Sequence, residues 1–165
     1  MKDPLTLSPA EWSFWDSWMQ AQRLLMREVE RDLQRDFGIS KAEFSVLVSL
    51  QATSTGEMRV TDLAHTLEWD KSRVAHLLTR MEGRGLLERS ESGAPGRRTG
   101  IALTTHGREV ADRAVLGHGR TIRRLALDRI TPEQARAINA WSRHLIDDPD
   151  ISTPDNAQPQ TTYES

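Results

Sequence analysis

The 165 residues carry 22 Lys or Arg against 24 Asp or Glu, a net charge of −2, and no cysteine. The length suits one domain with an extension, and the missing thiols exclude a disulfide framework and a thiolate metal site. The N-terminal MKDPLTLSPAEW lacks the basic start and apolar run of a signal peptide, and no stretch approaches the ~18 apolar residues of a membrane span, so the expectation is a soluble cytoplasmic protein.

Helix starts are well marked along the chain. SPAE at Ser8–Glu11 places an N-cap serine before Pro and a Glu at the third helical position. SKAE at Ser40–Glu43 and TPEQ at Thr131–Gln134 repeat the capping-box pattern. The first helix is predicted over Pro9–Asp36, with Gly38 as its C-cap, and the second over Lys41–Ala52. TSTGE then reads as a loop. A short helix over Thr61–Leu67 and another over Lys71–Gly83 follow. LLERSE and TGIALT flank SGAPGR and read as a hairpin. Thr104 caps a long helix reaching Asp128, and a last helix ends near Asp147. The remainder, DDPDISTPDNAQPQTTYES, has few apolar residues and three prolines and reads as a disordered tail. The fold class is therefore mainly α, with long terminal helices bracketing a compact helix–turn–helix and a small β hairpin.

The charge is uneven. Between Lys71 and Arg108 lie eight Lys or Arg and three acids, net +5, while the rest of the chain carries −7. Local charge, more than the total, decides where a polyanion docks. On a helical wheel, Val74, Leu77, Leu78 and Met81 form one apolar stripe. Ser72, Arg73, His76, Thr79 and Arg80 fall on the opposite side, with Lys71 at the helix start. Arginine there can bond guanine O6 and N7 in a major groove, and Ser72 suits a phosphate near the helix N-terminus. A basic helix face is by itself most often merely solvated. Here a short helix precedes it, as helix–turn–helix docking requires, and Arg97 and Arg98 follow on a Gly/Pro-rich tip suited to a minor groove.

These residues resemble the winged helix–turn–helix of MarR-family transcriptional regulators. The resemblance rests on Leu63-Ala64, Ser72-Arg73-Val74, the run Arg80–Arg89 (RMEGRGLLER), Arg97-Arg98 and Leu103–Gly107 (LTTHG). The helical layout extends it over residues 8–147. It implies a helical dimerisation region at 8–36 and 105–147, a winged helix–turn–helix at 40–104, and a tail at 148–165 outside the family pattern. It also implies a homodimeric regulator, most often a repressor, that binds an inverted repeat in double-stranded DNA through Lys71, Ser72, Arg73, His76, Thr79, Arg80, Arg97 and Arg98. Two departures stand out. The family's wing usually carries Asp-x-Arg, and Gly96 occupies the Asp position, leaving Arg98 without that carboxylate. The turn before the recognition helix often carries Gly, and Glu68 stands there. A left-handed Glu68 would bear a strain of about 1–2 kcal/mol.

The tryptophan-rich first helix (Trp12, Trp15, Trp18) and Leu125, Leu127, Ile130, Ile138, Trp141, Leu145 and Ile146 supply more apolar surface than a small winged domain buries. A two-fold dimer would cover it. Family members often release DNA when a small, commonly aromatic, molecule binds between the dimer helices and the winged domain. Trp15, Trp18, Met19, Gln22, Phe44 and His118 are the candidate walls; the plain alternative is that these aromatics pack the dimer core. Constitutive and metal-responsive regulation and a helical adaptor using the tryptophan stripe remain alternatives. An enzyme is not expected, and no cofactor is called for. There is no Gly-rich phosphate loop, and the histidines at 65, 76, 106, 118 and 144 show no zinc spacing. GHG at Gly117–Gly119 is expected to permit close helix approach or a slight kink.

Overall fold

The computed structural model describes residues 6–54, 56–90, 100–148 and 151. Six α-helices and a three-stranded sheet appear in the order α1 (Pro9–Phe37), α2 (Lys41–Gln51), β1 (Glu57–Arg59), α3 (Val60–Thr66), α4 (Lys71–Gly83), β2 (Leu87–Ser90), β3 (Gly100–Leu103), α5 (Thr105–Leu125) and α6 (Pro132–Ile146). The mainly helical class with a small β element is as the sequence implies. All three capping boxes form: the Ser8, Ser40 and Thr131 hydroxyls each accept an N–H from the third helical residue, whose side chain accepts the cap N–H in return. Gly38 closes α1 in the left-handed conformation at φ 65°, its N–H donating to the Gln34 carbonyl.

Two expectations fail at the element boundaries. The segment read as a loop ends in β1, so the β element is a sheet in the order β1-β3-β2, antiparallel throughout, rather than a lone hairpin. Met58 lies opposite Ile101, and Arg89 opposite Ile101 on the other side. At three residues β1 is too short to display a period. The helix expected to reach Asp128 stops at Leu125, and a single 3-10 turn follows over Leu127–Arg129. The hairpin tip, with Gly93, Pro95, Gly96, Arg97 and Arg98, lies outside the described residues, as does all of the predicted tail at 148–165 except Asp148 and Ile151.

The chain divides after Leu125 into two compact units. In the first, α1 packs on α5, α2 on α5 and α3 on α4. Ile39, Val46, Leu47, Leu50, Leu63, Val74, Leu78, Met81 and Ile101 are wholly buried between them. Each such side chain contributes about 1.5–3 kcal/mol by leaving water. Two glycines set the helix positions. A Cβ on Gly107 would overlap the Leu86 carbonyl oxygen, and one on Gly117 would overlap the Phe37 ring. Close approach is thus realised at Gly117 of the GHG run, whereas a Cβ at Gly119 would meet nothing within 4 Å among the described residues.

A polar junction joins α1 to α5. The buried Asp32 carboxylate accepts from Thr121 Oγ1 at 2.7 Å and from Arg124 Nη2 at 2.7 Å, and pairs with Arg35 at 2.9 Å. The Thr121 hydroxyl, with the two guanidiniums in support, holds the carboxyl below its ordinary pKa. The second unit contains α6, whose Ile138, Trp141 and Ile146 are exposed.

Candidate nucleic-acid interface

The turn into α4 follows from local hydrogen bonds. Leu67 ends α3, Glu68 adopts φ 53°, and Trp69 leaves the turn. The Glu68 N–H donates to the His65 carbonyl and the Trp69 N–H to the Ala64 carbonyl. That pair of bonds is a Schellman closure, here made with Glu in the left-handed position that glycine usually fills. The expected strain at Glu68 is therefore present. Asp70 then caps α4, accepting the N–H groups of Ser72 and Arg73. The Ser72 hydroxyl and then those backbone donors hold the Asp70 carboxyl below its ordinary pKa.

The apolar stripe lands in the core as expected: Val74, Leu77, Leu78 and Met81 are buried. Lys71, Ser72, Arg73, His76, Thr79 and Arg80 are all exposed. Arg73, His76, Thr79 and Arg80 line one open depression on the helix surface. These six are not equally available. The Ser72 hydroxyl already donates to Asp70 Oδ1, and Thr79 Oγ1 donates to the Ala75 carbonyl at 3.0 Å. Among the described residues the side chains of Lys71, His76 and Arg80 have no hydrogen-bonding or ionic partner. Arg73 has one neighbour the sequence reading did not name: its guanidinium lies 4.6 Å from the centroid of the Trp69 ring.

The positive charge of the segment is partly consumed inside the fold. Arg84 Nη1 donates to Glu43 Oε1 at 2.6 Å and Nη2 to the Gly38 carbonyl at 2.8 Å, tying the end of α4 to the α1–α2 corner. Arg89 Nε donates to Glu82 Oε2 at 3.1 Å, bracing β2 against α4. These two arginines serve the scaffold. Partners 41 and 7 residues away are invisible to a local reading of charge.

Of the candidate ligand walls, Phe44 and His118 come together, ring centroids 4.7 Å apart. His118 is half-buried, and its buried Nδ1 has no hydrogen-bond partner among the described residues. Burial, then the nearby Lys41 charge, lowers its pKa from 6.5. Lys41 Nζ in turn lies 3.2 Å from Met26 Sδ on α1. Measured from Met26 along the helix, Gln22 is about one turn away, Met19 and Trp18 about two, and Trp15 about three, at ~5.4 Å per turn. Trp15 and Gln22 are exposed; Trp18 and Met19 are half-buried. Among the described residues no group of three His, Asp or Glu could hold a metal ion. No described helix is long and apolar enough to cross a membrane.

Known structures share this arrangement. AbsC, a MarR family transcriptional regulator from Streptomyces coelicolor, is 31% identical over 87% of this chain and 99% of its own, with a TM-score of 0.72. The chain belongs to the MarR family. Sco3205, a MarR family regulator from the same organism crystallised in complex with DNA, is 29% identical over 94% of this chain and 96% of its own, with a TM-score of 0.79. The organohalide-sensing regulator RdhR-CbdbA1625, solved with 2,4-dichlorophenol bound, is 19% identical over 89% of this chain and 85% of its own at a TM-score of 0.71, a likeness of fold alone. Residues 33–99 also match the family model described as sugar-specific transcriptional regulator TrmB. No curated protein sequence matches the chain. Within the MarR family pattern, Glu68 for the turn glycine is the departure the structure displays directly.

Proposed function

We propose that the chain is a transcriptional regulator that binds an inverted repeat in double-stranded DNA as a homodimer, acts in the cytoplasm as a repressor by occluding a promoter, and is not an enzyme. The observation that carries this is the outward face of α4. Arg73, His76 and Arg80 stand exposed on the helix side opposite its buried stripe, on an element braced by Arg84 and Arg89. The crystallisation of Sco3205 with DNA supports the same use of the shared fold. Arg73 and His76 read base edges and Arg80 and Lys71 meet phosphate. Arg97 and Arg98 add minor-groove and phosphate contacts from the wing.

The dimer is supported by apolar surface that each unit leaves exposed: Trp12, Phe14, Trp15, Val115 and Leu116 in the first, Ile138, Trp141 and Ile146 in the second. Residues 8–36 and 105–147 are its dimerisation region and 40–104 its DNA-binding region. A small, aromatic effector at Phe44 and His118 is supported by the unpartnered Nδ1 beside a half-buried ring. Trp15 and Trp18 lie two to three turns from the Met26–Lys41 contact that adjoins this pair, so they complete the pocket most directly from the second copy. The effector relieves repression by binding the DNA-free arrangement more tightly; equal affinity would shift nothing.

Arg73→Ala tests the base-reading face. It is expected to cost about 1–3 kcal/mol on the preferred site and much less on random DNA, read by quantitative binding at fixed salt. Equal losses on both would move Arg73 to a phosphate-contact role. No salt-dependent DNA binding by the intact protein would defeat the function itself.

A further inference from the structure

One of the two side chains proposed to read base edges already has a neighbour in the DNA-free protein: Arg73 lies over the Trp69 ring, 4.6 Å from its centroid. Trp69 is a firm platform. It is half-buried, packs against the core cluster, and its backbone N–H is fixed to the Ala64 carbonyl by the left-handed turn at Glu68. Arg73, four residues on, is in the first turn of α4, its N–H held by Asp70. Both ends of the stack are thus anchored by backbone bonds that involve neither side chain.

The kind of contact matters. A guanidinium offers five N–H donors around its planar edge and none on its faces. An aromatic ring beneath the guanidinium carbon, as the Trp69 ring is, attracts the charge without a hydrogen-bond acceptor that would compete for those donors. A carboxylate partner would occupy the donors that guanine O6 and N7 require. Among the described residues the Arg73 guanidinium makes no hydrogen bond or ion pair, in contrast to those of Arg84 and Arg89, which are spent on Glu43 and Glu82. Resting on Trp69 therefore limits the rotamers of a long side chain without consuming what it needs for a base. Ordering such a side chain on binding is otherwise a cost set against affinity.

We propose that Trp69 is a positioning residue for sequence discrimination: it stacks under Arg73 in the DNA-free protein and presents the guanidinium edge to the major groove. This rests on the DNA-reading function above. The effect belongs to specificity, because an unstacked Arg73 still supplies its charge to any DNA but no longer a fixed edge to one base.

The test compares Trp69→Leu and Trp69→Phe in wild-type and Arg73→Ala backgrounds, with thermal melting to confirm folding. The measured quantity is the affinity for a selected site divided by that for the same site with the Arg73-contacted base pair exchanged. Trp69→Leu is expected to lower this ratio roughly fivefold, about 1 kcal/mol at 1.4 kcal/mol per tenfold, and to leave it unchanged when Arg73 is already Ala. Trp69→Phe, with a weaker ring, is expected to lower it about twofold. In the DNA-free protein, the Arg73 δ-methylene proton resonances should be shifted upfield by the ring and return to ordinary positions in Trp69→Leu. An equal loss with and without Arg73 would make Trp69 a general support of α4 and overturn the proposal, as would an unshifted Arg73 resonance. If Trp69→Leu does not fold, Trp69→Phe decides by the same comparison. A wild-type protein without sequence preference overturns the DNA reading as well; a preference untouched by either substitution overturns this proposal alone.

Discussion

Glu68 is the residue at which local preference and the fold disagree most plainly. A left-handed conformation costs a side-chain-bearing residue about 1–2 kcal/mol, and φ 53° places Glu68 there. Glu68→Gly is expected to stabilise the protein by about 0.5–1 kcal/mol, because glycine's greater freedom in the unfolded chain offsets part of the relief, ~0.4–1 kcal/mol. The thermal midpoint should rise by roughly 1–4 °C. A fall would mean that the exposed Glu68 side chain makes a contribution its geometry does not reveal. His118 gives a prediction of a different kind. Burial holds its folded pKa below 6.5, so the unfolded chain takes up a proton at pH values where the native chain does not. Stability attributable to His118 is therefore full above pH 6.5 and is lost as pH falls from there toward the lower folded value. His118→Gln should remove that part of the acid sensitivity, seen by comparing denaturation midpoints above and below pH 6.5. Identical pH dependence in the two proteins would contradict it.

At the scale of elements, α5 is fixed at two glycines and one carboxylate. Gly107→Ala forces the Leu86 carbonyl aside at the start of the helix and is expected to destabilise by about 1–3 kcal/mol, measured by chemical denaturation. Gly119→Ala meets nothing within 4 Å among the described residues and should instead follow helix propensity, a gain of about 1 kcal/mol. The contrast between two glycines of one helix was not available from LTTHG and GHG, because it depends on what lies opposite each. The same limit explains the other differences between sequence and structure. The capping boxes at Ser8, Ser40 and Thr131 were legible because their partners lie three residues away. The stripe of α4 was legible from its 3.6-residue period. β1 was not, because three residues carry no period and its identity comes from pairing with β3, more than 40 residues later. Arg84 and Arg89 are indistinguishable by sequence from the charges available to DNA, because nothing nearby in the chain shows Glu43 or Glu82 meeting them. Trp69 is not legible as part of the site, because it precedes the helix cap and belongs to neither face of the α4 wheel.

Across the whole molecule, like residues divide the labour. The −2 net charge conceals a basic segment, and within that segment the structure separates arginines that hold the scaffold from arginines that are turned outward. On the proposed function, the exposed face of α4 and the exposed apolar surfaces of both units serve different partners, DNA for one and a second copy for the other. The measurement that tests this most directly is selection of bound duplexes from a random pool by the full-length protein at physiological salt. The expected result is enrichment of an inverted repeat whose half-site centres lie about 10–10.5 base pairs apart, one turn of B-DNA, and loss of preference at one position of each half-site when Arg73 is changed to Ala. A pool that remains random after repeated rounds, or a motif unaffected by Arg73→Ala, would contradict it.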